Sequence, residues 1–493
     1  MTIAAWLLCI VLAYFLLLLL VAYRTSRHSD NESFFIGNRR SNWMLVAFGM
    51  IGTSLSGVTF ISVPGTVGAM GPGGTPQAFG YFQVVIGYLL GYMVIAWVLL
   101  PLYYRMQLTS IYRYLRNRLG ESSYKTGALF FILSRTLGAT ARLYLVINVL
   151  QLFVLDSMGV PFVLTTLIIL GMILLYTLEG GVKTIVWTDT LQTSFMLIGL
   201  VVGVVYILGH MHLGPGAAWD ALRQHGFTRV FTTDVRSPSF FVKQILGGAF
   251  ITITMTGLDQ EMMQKNISVR SVGDSQKNMM TFSVVMVLVS GLFLVLGGLL
   301  YLFALNGGLR LTAGDDVFPS LALHYFSPAF SLIFIIALIS ALFPSADGAM
   351  TALTSSVCID ILGFQERTGM DERAKKRTRM MVHGCVAVVF LLCILVFHWV
   401  NDKSIIGVIL NLAAYTYGPL LGLFAFGIFT GRSLKYPRGV PWVCVASPLV
   451  CYLLSRYSAD LFGGYKIGIE LLVINGFITF MGLFLLSEKK PEI

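Results

Sequence analysis

Charge is scarce in this chain. Asp, Glu, Lys and Arg make up 12% of its 493 residues, whereas 56% are hydrophobic and the mean hydropathy is +0.80. A water-soluble domain carries about twice that share of charge, so a fold surrounded by water is excluded. No polar stretch is long enough to form a separate soluble domain, and residues 1–493 read as one membrane domain. The six cysteines (Cys9, Cys358, Cys385, Cys393, Cys444 and Cys451) lie mostly inside apolar runs, without the spacing of a disulfide framework or a zinc site. The seven histidines are scattered, and His210 and His212 sit at the end of an apolar segment as a solvated loop would. With neither a metal pattern nor a nucleophile and base set together, the chain is not expected to be an enzyme.

The charge that is present is unbalanced, at +11. Its placement speaks against nucleic acid as the partner. The longest basic cluster, Arg373, Lys375, Lys376, Arg377 and Arg379, lies between two apolar segments, where a cytoplasmic loop would meet anionic lipid headgroups. A run of about 20 apolar residues spans the hydrocarbon, and thirteen candidates can be marked. They are 3–23, 44–69, 78–103, 126–155, 162–178, 184–208, 241–258, 279–304, 329–355, 380–400, 405–429, 440–454 and 467–486. With the N-terminus outside, 24 of the 34 Lys and Arg fall in cytoplasmic loops and 7 in outer ones, which orients the chain N-out and C-in. The first segment has no basic residue before it and no cleavage pattern after it. It is expected to be a retained helix, held inside by Arg24 and Arg27.

Two segments carry polar interruptions near mid-membrane. The second contains Gly49, Gly52, Thr53, Ser54, Ser56, Gly57 and Thr59; the seventh runs through Gly247-Gly248, Thr252, Thr254 and Thr256 to Asp259-Gln260-Glu261. Non-helical backbone at that depth is tolerated where it lines a cavity, as in the broken helices that hold ions and substrate in secondary transporters. Small residues also serve helix packing, so Gly52, Ser56 and Gly57 fit either reading. The offset of five segments suggests two inverted five-helix repeats, 44–208 and 241–429, after an extra helix at 3–23 and before two helices at 440–486. Broken first and sixth core helices would then face each other across one site.

In the ninth segment Ser340, Asp347, Thr351 and Thr354 share one helical face. A carboxylate inside a span marks an ion or substrate path, the alternative being a structural hydrogen bond between helices. Asp189, in Trp187-Thr188-Asp189-Thr190, adds a second carboxylate, readable also as an interfacial group favoured by the helix dipole. Hard oxygen ligands of these kinds suit sodium. Arg135 and Arg142, seven residues apart, lie on nearly one face of the fourth segment. Arg135 is close enough to the cytoplasmic end to snorkel, which leaves Arg142 as the guanidinium for a carboxylate-bearing substrate.

Several motifs together resemble the sodium:solute symporter family over about Ser33 to Arg438. They are Ser33–Arg40, Leu55–Gly65, Leu100–Arg105 with Thr109–Tyr112 and Tyr114-Leu115, Glu179–Lys183 with Trp187–Gln192, Asp259-Gln260 with Gln264-Lys265, and Tyr417–Phe424 with Gly427–Phe429. The resemblance implies an all-α integral membrane protein of about thirteen transmembrane helices, with the leucine-transporter type of inverted-repeat fold. It further implies a sodium site at Gly52, Leu55, Ala341, Pro344 and Ser345. Pro344 departs from the family's hydroxyl residue and has no side-chain oxygen to offer. Asp347 and Gly348 stand where members similar to sialic-acid transporters place hydroxyls, with an aspartate at the position of Asp189. The expectation is one sodium on Gly52, Leu55, Ser345 and Asp347, with Asp189 at a second or exit site and Pro344 unwinding its helix to free a carbonyl. For substrate the resemblance implies Ser54, Ser56, Thr59, Gln83 and Asp259, with Tyr415 or Tyr417 as lids.

The expected function is sodium-coupled symport of a sugar acid, amino acid or carboxylate by a monomer in the cell membrane, with sodium as the coupling ion and no organic cofactor. Proton coupling through Asp189 and Asp347 is the alternative. A transporter-like sensor would need an output domain, which the tail Ser487–Ile493 does not provide.

Overall fold

Apolar runs too long for an ordinary globular helix become helices of membrane length. The computed structural model describes residues 3–26, 31–71, 76–309, 311, 314–366, 371–400 and 405–489. Arg27, Arg310, Arg367, Lys403 and Lys490, which enter the charge asymmetry, lie outside these. The main helices are α1 (Ile3–Ser26), α2 (Trp43–Thr66), α3 (Ala78–Arg105), α4 (Glu121–Leu150), α5 (Phe162–His210), α6 (Phe241–Gly257) and α7 (Gln260–Ile267). They continue as α8 (Val272–Asn306), α9 (Pro328–Ser356), α10 (Glu372–Val400), α11 (Ile405–Thr416), α12 (Gly418–Phe429), α13 (Val440–Arg456) and α14 (Leu471–Leu485). Among the described residues, eight helices are long and apolar enough to cross a membrane, or ten if each of two bent pairs is one span. Three shorter apolar helices accompany them. Every predicted segment falls on one of these elements.

Local chemistry sets several of the boundaries. Asn42 opens α2 by accepting from the N–H of Met44 at 2.9 Å. Ser271 opens α8 through the N–H of Asp274, and Ser327 precedes Pro328 at the start of α9. Outside the apolar layer Glu366 pairs with Arg116, whose guanidinium holds the carboxyl below its usual range.

The core is largely apolar, as in a protein in water, but it also encloses polar groups, and much of the outer surface is apolar. α2 and α9 pack on each other and on α5 at the centre, and every residue from Ala337 to Ser356 is buried. The polar face of α9 is therefore shut inside the protein, where its carboxylate needs protein partners. Apolar α10 instead turns Val388, Leu392 (58% exposed) and Trp399 (87%) outward, a surface suited to lipid.

The expected breaks occur. In α2, Ser56 has φ 36° and ψ 171°, a sparsely populated conformation for a residue with a Cβ. α6 ends in a π-turn over Ile253–Gly257, and α7 leaves it at 64°. α11 and α12 meet at 42°. Residues 162–210 are two helices, Phe162–Leu178 and Gly181–His210, joined at a kink where Gly181 has φ 53° and ψ −147°, in line with the predicted segments 162–178 and 184–208. Pro344 is a correction to the sequence reading: no residue of α9 leaves helical angles, so the proline does not unwind it. One missing N–H is tolerated where neighbouring helices pack closely around the turn.

α3 and α6 cross through glycines. A Cβ on Gly248 would press on the carbonyl oxygen of Val84, with the Val84 carbonyl carbon and Cα at 3.1 Å, and backbone cannot swing away. Gly248→Ala is expected to lower stability by about 1–3 kcal/mol, read as a lower apparent melting temperature. Gly138→Ala in α4, where a Cβ meets nothing within 4 Å, is the control and should be neutral or slightly stabilising.

Candidate functional site

The two breaks bound a cavity of about 90 Å³, whose lining includes Ser54, Leu55 and Thr59 of α2, Arg142 of α4, and Thr252, Met255 and Thr256 of α6. Tyr81, Tyr88 and Tyr92 of α3 supply one aromatic wall, and the hydroxyls of Tyr81 and Tyr88 lie 3.2 Å apart. Tyr81 also borders a second pocket of about 350 Å³, lined by Ser62, Thr66, Gln83 and Arg229 among others. The two spaces share that ring as a wall. Ion pairs of Arg142 are absent among the described residues, although its guanidinium sits among hydroxyls.

Not all the predicted substrate residues meet there. Ser54, Thr59 and Arg142 do. Ser56 is buried at the break itself. Gln83 does not line the inner cavity: its amide donates to the carbonyls of Gly80 (3.0 Å) and Ser239 (3.4 Å) and accepts from the N–H of Thr232 (3.2 Å). Asp259 is likewise committed elsewhere. It caps α7 by accepting from the N–H groups of Glu261 and Met262, and it accepts the Tyr417 hydroxyl at 2.8 Å. Tyr417 is thereby fixed in the interior, while Tyr415 lies beside Tyr452.

The predicted ion residues gather where α2, α5 and α9 touch. A Cβ on Gly52 would run into the hydroxyl of Thr193 and lie 3.4 Å from Pro344 Cγ; one on Gly49 would stand 3.1 Å from Asp189 Cβ. The N–H of Gly52 donates to Thr193 Oγ1 at 3.1 Å. Carbonyls of residues 52–55 bond, in a straight helix, to the N–H groups of 56–59, and the break at Ser56 falls at the first residue of the second set. Leu55 and Ala341 are buried, and the Ser345 hydroxyl donates to the carbonyl of Leu342 at 3.0 Å. Asp347 accepts from the Tyr176 hydroxyl at 2.8 Å and from the N–H of Gly348. Asp189 accepts from Thr53 Oγ1 at 3.2 Å and from Lys265 Nζ at 2.7 Å.

Three charged residues of this interior were missed or misplaced by sequence reasoning. Arg135 does not snorkel. It is 3% exposed, ion-paired to Glu261, with Asp259 at 3.8 Å. A guanidinium this deep needs such anions, because lipid offers no water. Glu261 and Lys265, four residues apart on α7, lie 3.5 Å from each other. The available signal was a Glu and a Lys at helical spacing in a short polar run directly after an apolar segment.

A profile of the sodium:solute symporter family matches residues 34–436. The sodium/sialic acid symporter of Proteus mirabilis is 23% identical over 94% of this chain and 92% of its own. The human sodium-coupled monocarboxylate transporter 1 is 25% identical over 83% of this chain and 66% of its own. Among solved structures, a substrate-bound, outward-open Na+-coupled sialic acid symporter superposes with a TM-score of 0.80 at 19% identity, covering 99% of this chain and 100% of that one. The fold is therefore shared with that symporter.

Proposed function

Because this chain belongs to the sodium:solute symporter family, and is thus a multi-pass membrane protein that performs sodium-coupled symport, we propose that its solute carries a carboxylate bound by Arg142. The observation that supports this is a guanidinium lining the cavity at the two breaks without an ion pair among the described residues. A bidentate pair with a carboxylate would satisfy it, and Ser54, Thr59 and Thr256 offer hydroxyls to the rest of the solute. The inner space of about 90 Å³ takes the charged end, and larger substituents extend past Tyr81 into the 350 Å³ pocket. Relatives named for sialic acid and for monocarboxylates transport solutes of this class, which agrees with the reading.

The coupling sodium is placed at Asp347 in this proposal, with the carbonyls of Gly52, Leu55 and Ala341 and the Ser345 hydroxyl completing an oxygen shell. Asp347 supplies the oxygen that Pro344 lacks. Thirteen spans, an inverted repeat over 44–208 and 241–429, an outer N-terminus and a monomer complete the picture. The paired breaks support the repeat and the Lys/Arg asymmetry supports the orientation. Each sodium entering down the potential contributes about 2.3 kcal/mol per 100 mV, enough for roughly fifty-fold accumulation.

Thermal stability of the purified protein against a series of carboxylates, amino acids and sugars, each in sodium and in choline, tests the proposal. A melting-temperature rise that needs both one carboxylate and sodium is expected. Asp347→Asn should remove the sodium dependence of that rise. Equal shifts in choline for the unsubstituted protein would refute sodium at Asp347.

A further inference from the structure

The buried charges around the breaks do not pair off evenly. Arg135 serves Glu261 and, at 3.8 Å, Asp259. Lys265 serves Asp189 at 2.7 Å and Glu261 at 3.5 Å. Asp347 has the Tyr176 hydroxyl and the Gly348 N–H, but no cation within salt-bridge distance among the described residues. Of four carboxylates packed into one low-dielectric region, it alone has no partner of opposite charge.

Lys265 deserves comparison with an ion rather than with an ordinary salt-bridge lysine. Its Nζ is 2.7 Å from Asp189 Oδ2, 2.7 Å from Thr53 Oγ1 and 3.5 Å from Glu261 Oε1. Three oxygens, from α5, α2 and α7, converge on one positive point, and an ammonium has three N–H bonds to give them. A carboxylate, a hydroxyl and a second carboxylate are hard oxygen donors of the kind that bind monovalent and divalent cations. The other oxygen of Asp189, Oδ1, is fully buried and has no hydrogen-bond partner among the described residues. An ion placed on Asp189 would stand against the ammonium with no water between them to screen the repulsion.

We propose that Lys265 Nζ is a tethered cation filling the position at Asp189 that a second coupling ion would otherwise take, so that the protein binds a single sodium, at Asp347. The inference rests on the sodium site proposed above and adds its stoichiometry. The ammonium is covalently part of α7, so it is not released on either side. The Asp189 position then contributes charge balance and a link between α2, α5 and α7 without contributing to ion flux.

Equilibrium binding of radioactive sodium to the purified full-length protein, with choline as the balancing ion, reads the count directly. The unsubstituted protein should bind one sodium per chain, Lys265→Ala two, and Lys265→Ala with Asp189→Asn one again. Lys265→Arg keeps the charge and should stay at one. Should Lys265→Ala fail to fold, the unsubstituted and Lys265→Arg counts decide: one ion each supports the proposal, and two overturns it. Two ions on the unsubstituted protein, or one on a folded Lys265→Ala, refutes the tethered cation while leaving sodium coupling intact. No sodium bound to the unsubstituted protein removes the sodium site at Asp347 itself.

Discussion

Arg142→Ala is expected to reduce sodium-driven uptake of the carboxylate solute by about thirtyfold or more. Truncating one partner of a desolvated, hydrogen-bonded charge pair costs about 2–5 kcal/mol, and about 1.4 kcal/mol corresponds to tenfold in affinity. Arg142 makes no ion pair among the described residues, so its removal orphans no protein carboxylate, and the apparent melting temperature without solute should hardly move. The loss belongs to solute binding. Arg142→Lys keeps the charge but not the planar fork, and should recover only part of the affinity. The measurement is a binding isotherm in sodium beside initial uptake rates in proteoliposomes. Unchanged affinity in Arg142→Ala would remove the carboxylate from the proposal.

Arg135 should behave in the contrary way, although it borders the same cavity. Its guanidinium is held by Glu261 and faces Asp259, so Arg135→Leu leaves a buried carboxylate short of its cation. Breaking a buried pair from one side typically costs about 3–5 kcal/mol. That is a large part of the roughly 5–15 kcal/mol by which a folded domain exceeds its unfolded state. A marked fall in apparent melting temperature is expected even without solute. Arg135→Leu combined with Glu261→Leu should recover part of it, because an apolar pair of similar volume replaces the ion pair. A single substitution that leaves the melting temperature unchanged but weakens solute binding would make Arg135 a ligand instead.

These two arginines mark the reach of the sequence. Segment positions were legible because lipid imposes a length and a polarity that composition reports directly, and the breaks were legible because Gly52 to Thr59 and Thr252 to Asp259 are polar where an unbroken span would not be. The direction of a side chain within a buried bundle was not. Arg135 and Arg142 share a helical face and both border the cavity, yet one is bound by anions from the α6–α7 junction and the other makes no ion pair among the described residues. Which is which depends on the 64° turn between α6 and α7, which brings Glu261 back toward α4. The place of Gln83, at the outer pocket rather than the inner cavity, was hidden for a similar reason. Its partners Ser239 and Thr232 come from a segment about 150 residues away, and no local pattern announces them.

The break at Ser56 bears on how such a protein can change its diet. In the site proposed here, Gly52, Leu55 and Ala341 contribute main-chain oxygens, which every amino acid possesses and no point substitution removes. The solute-facing groups are side chains: Ser54, Thr59 and Arg142. Descendants of one ancestor could therefore exchange cargo through single codon changes while inheriting the same driving ion, provided the chain still breaks at that turn and keeps the side-chain oxygens of Ser345 and Asp347.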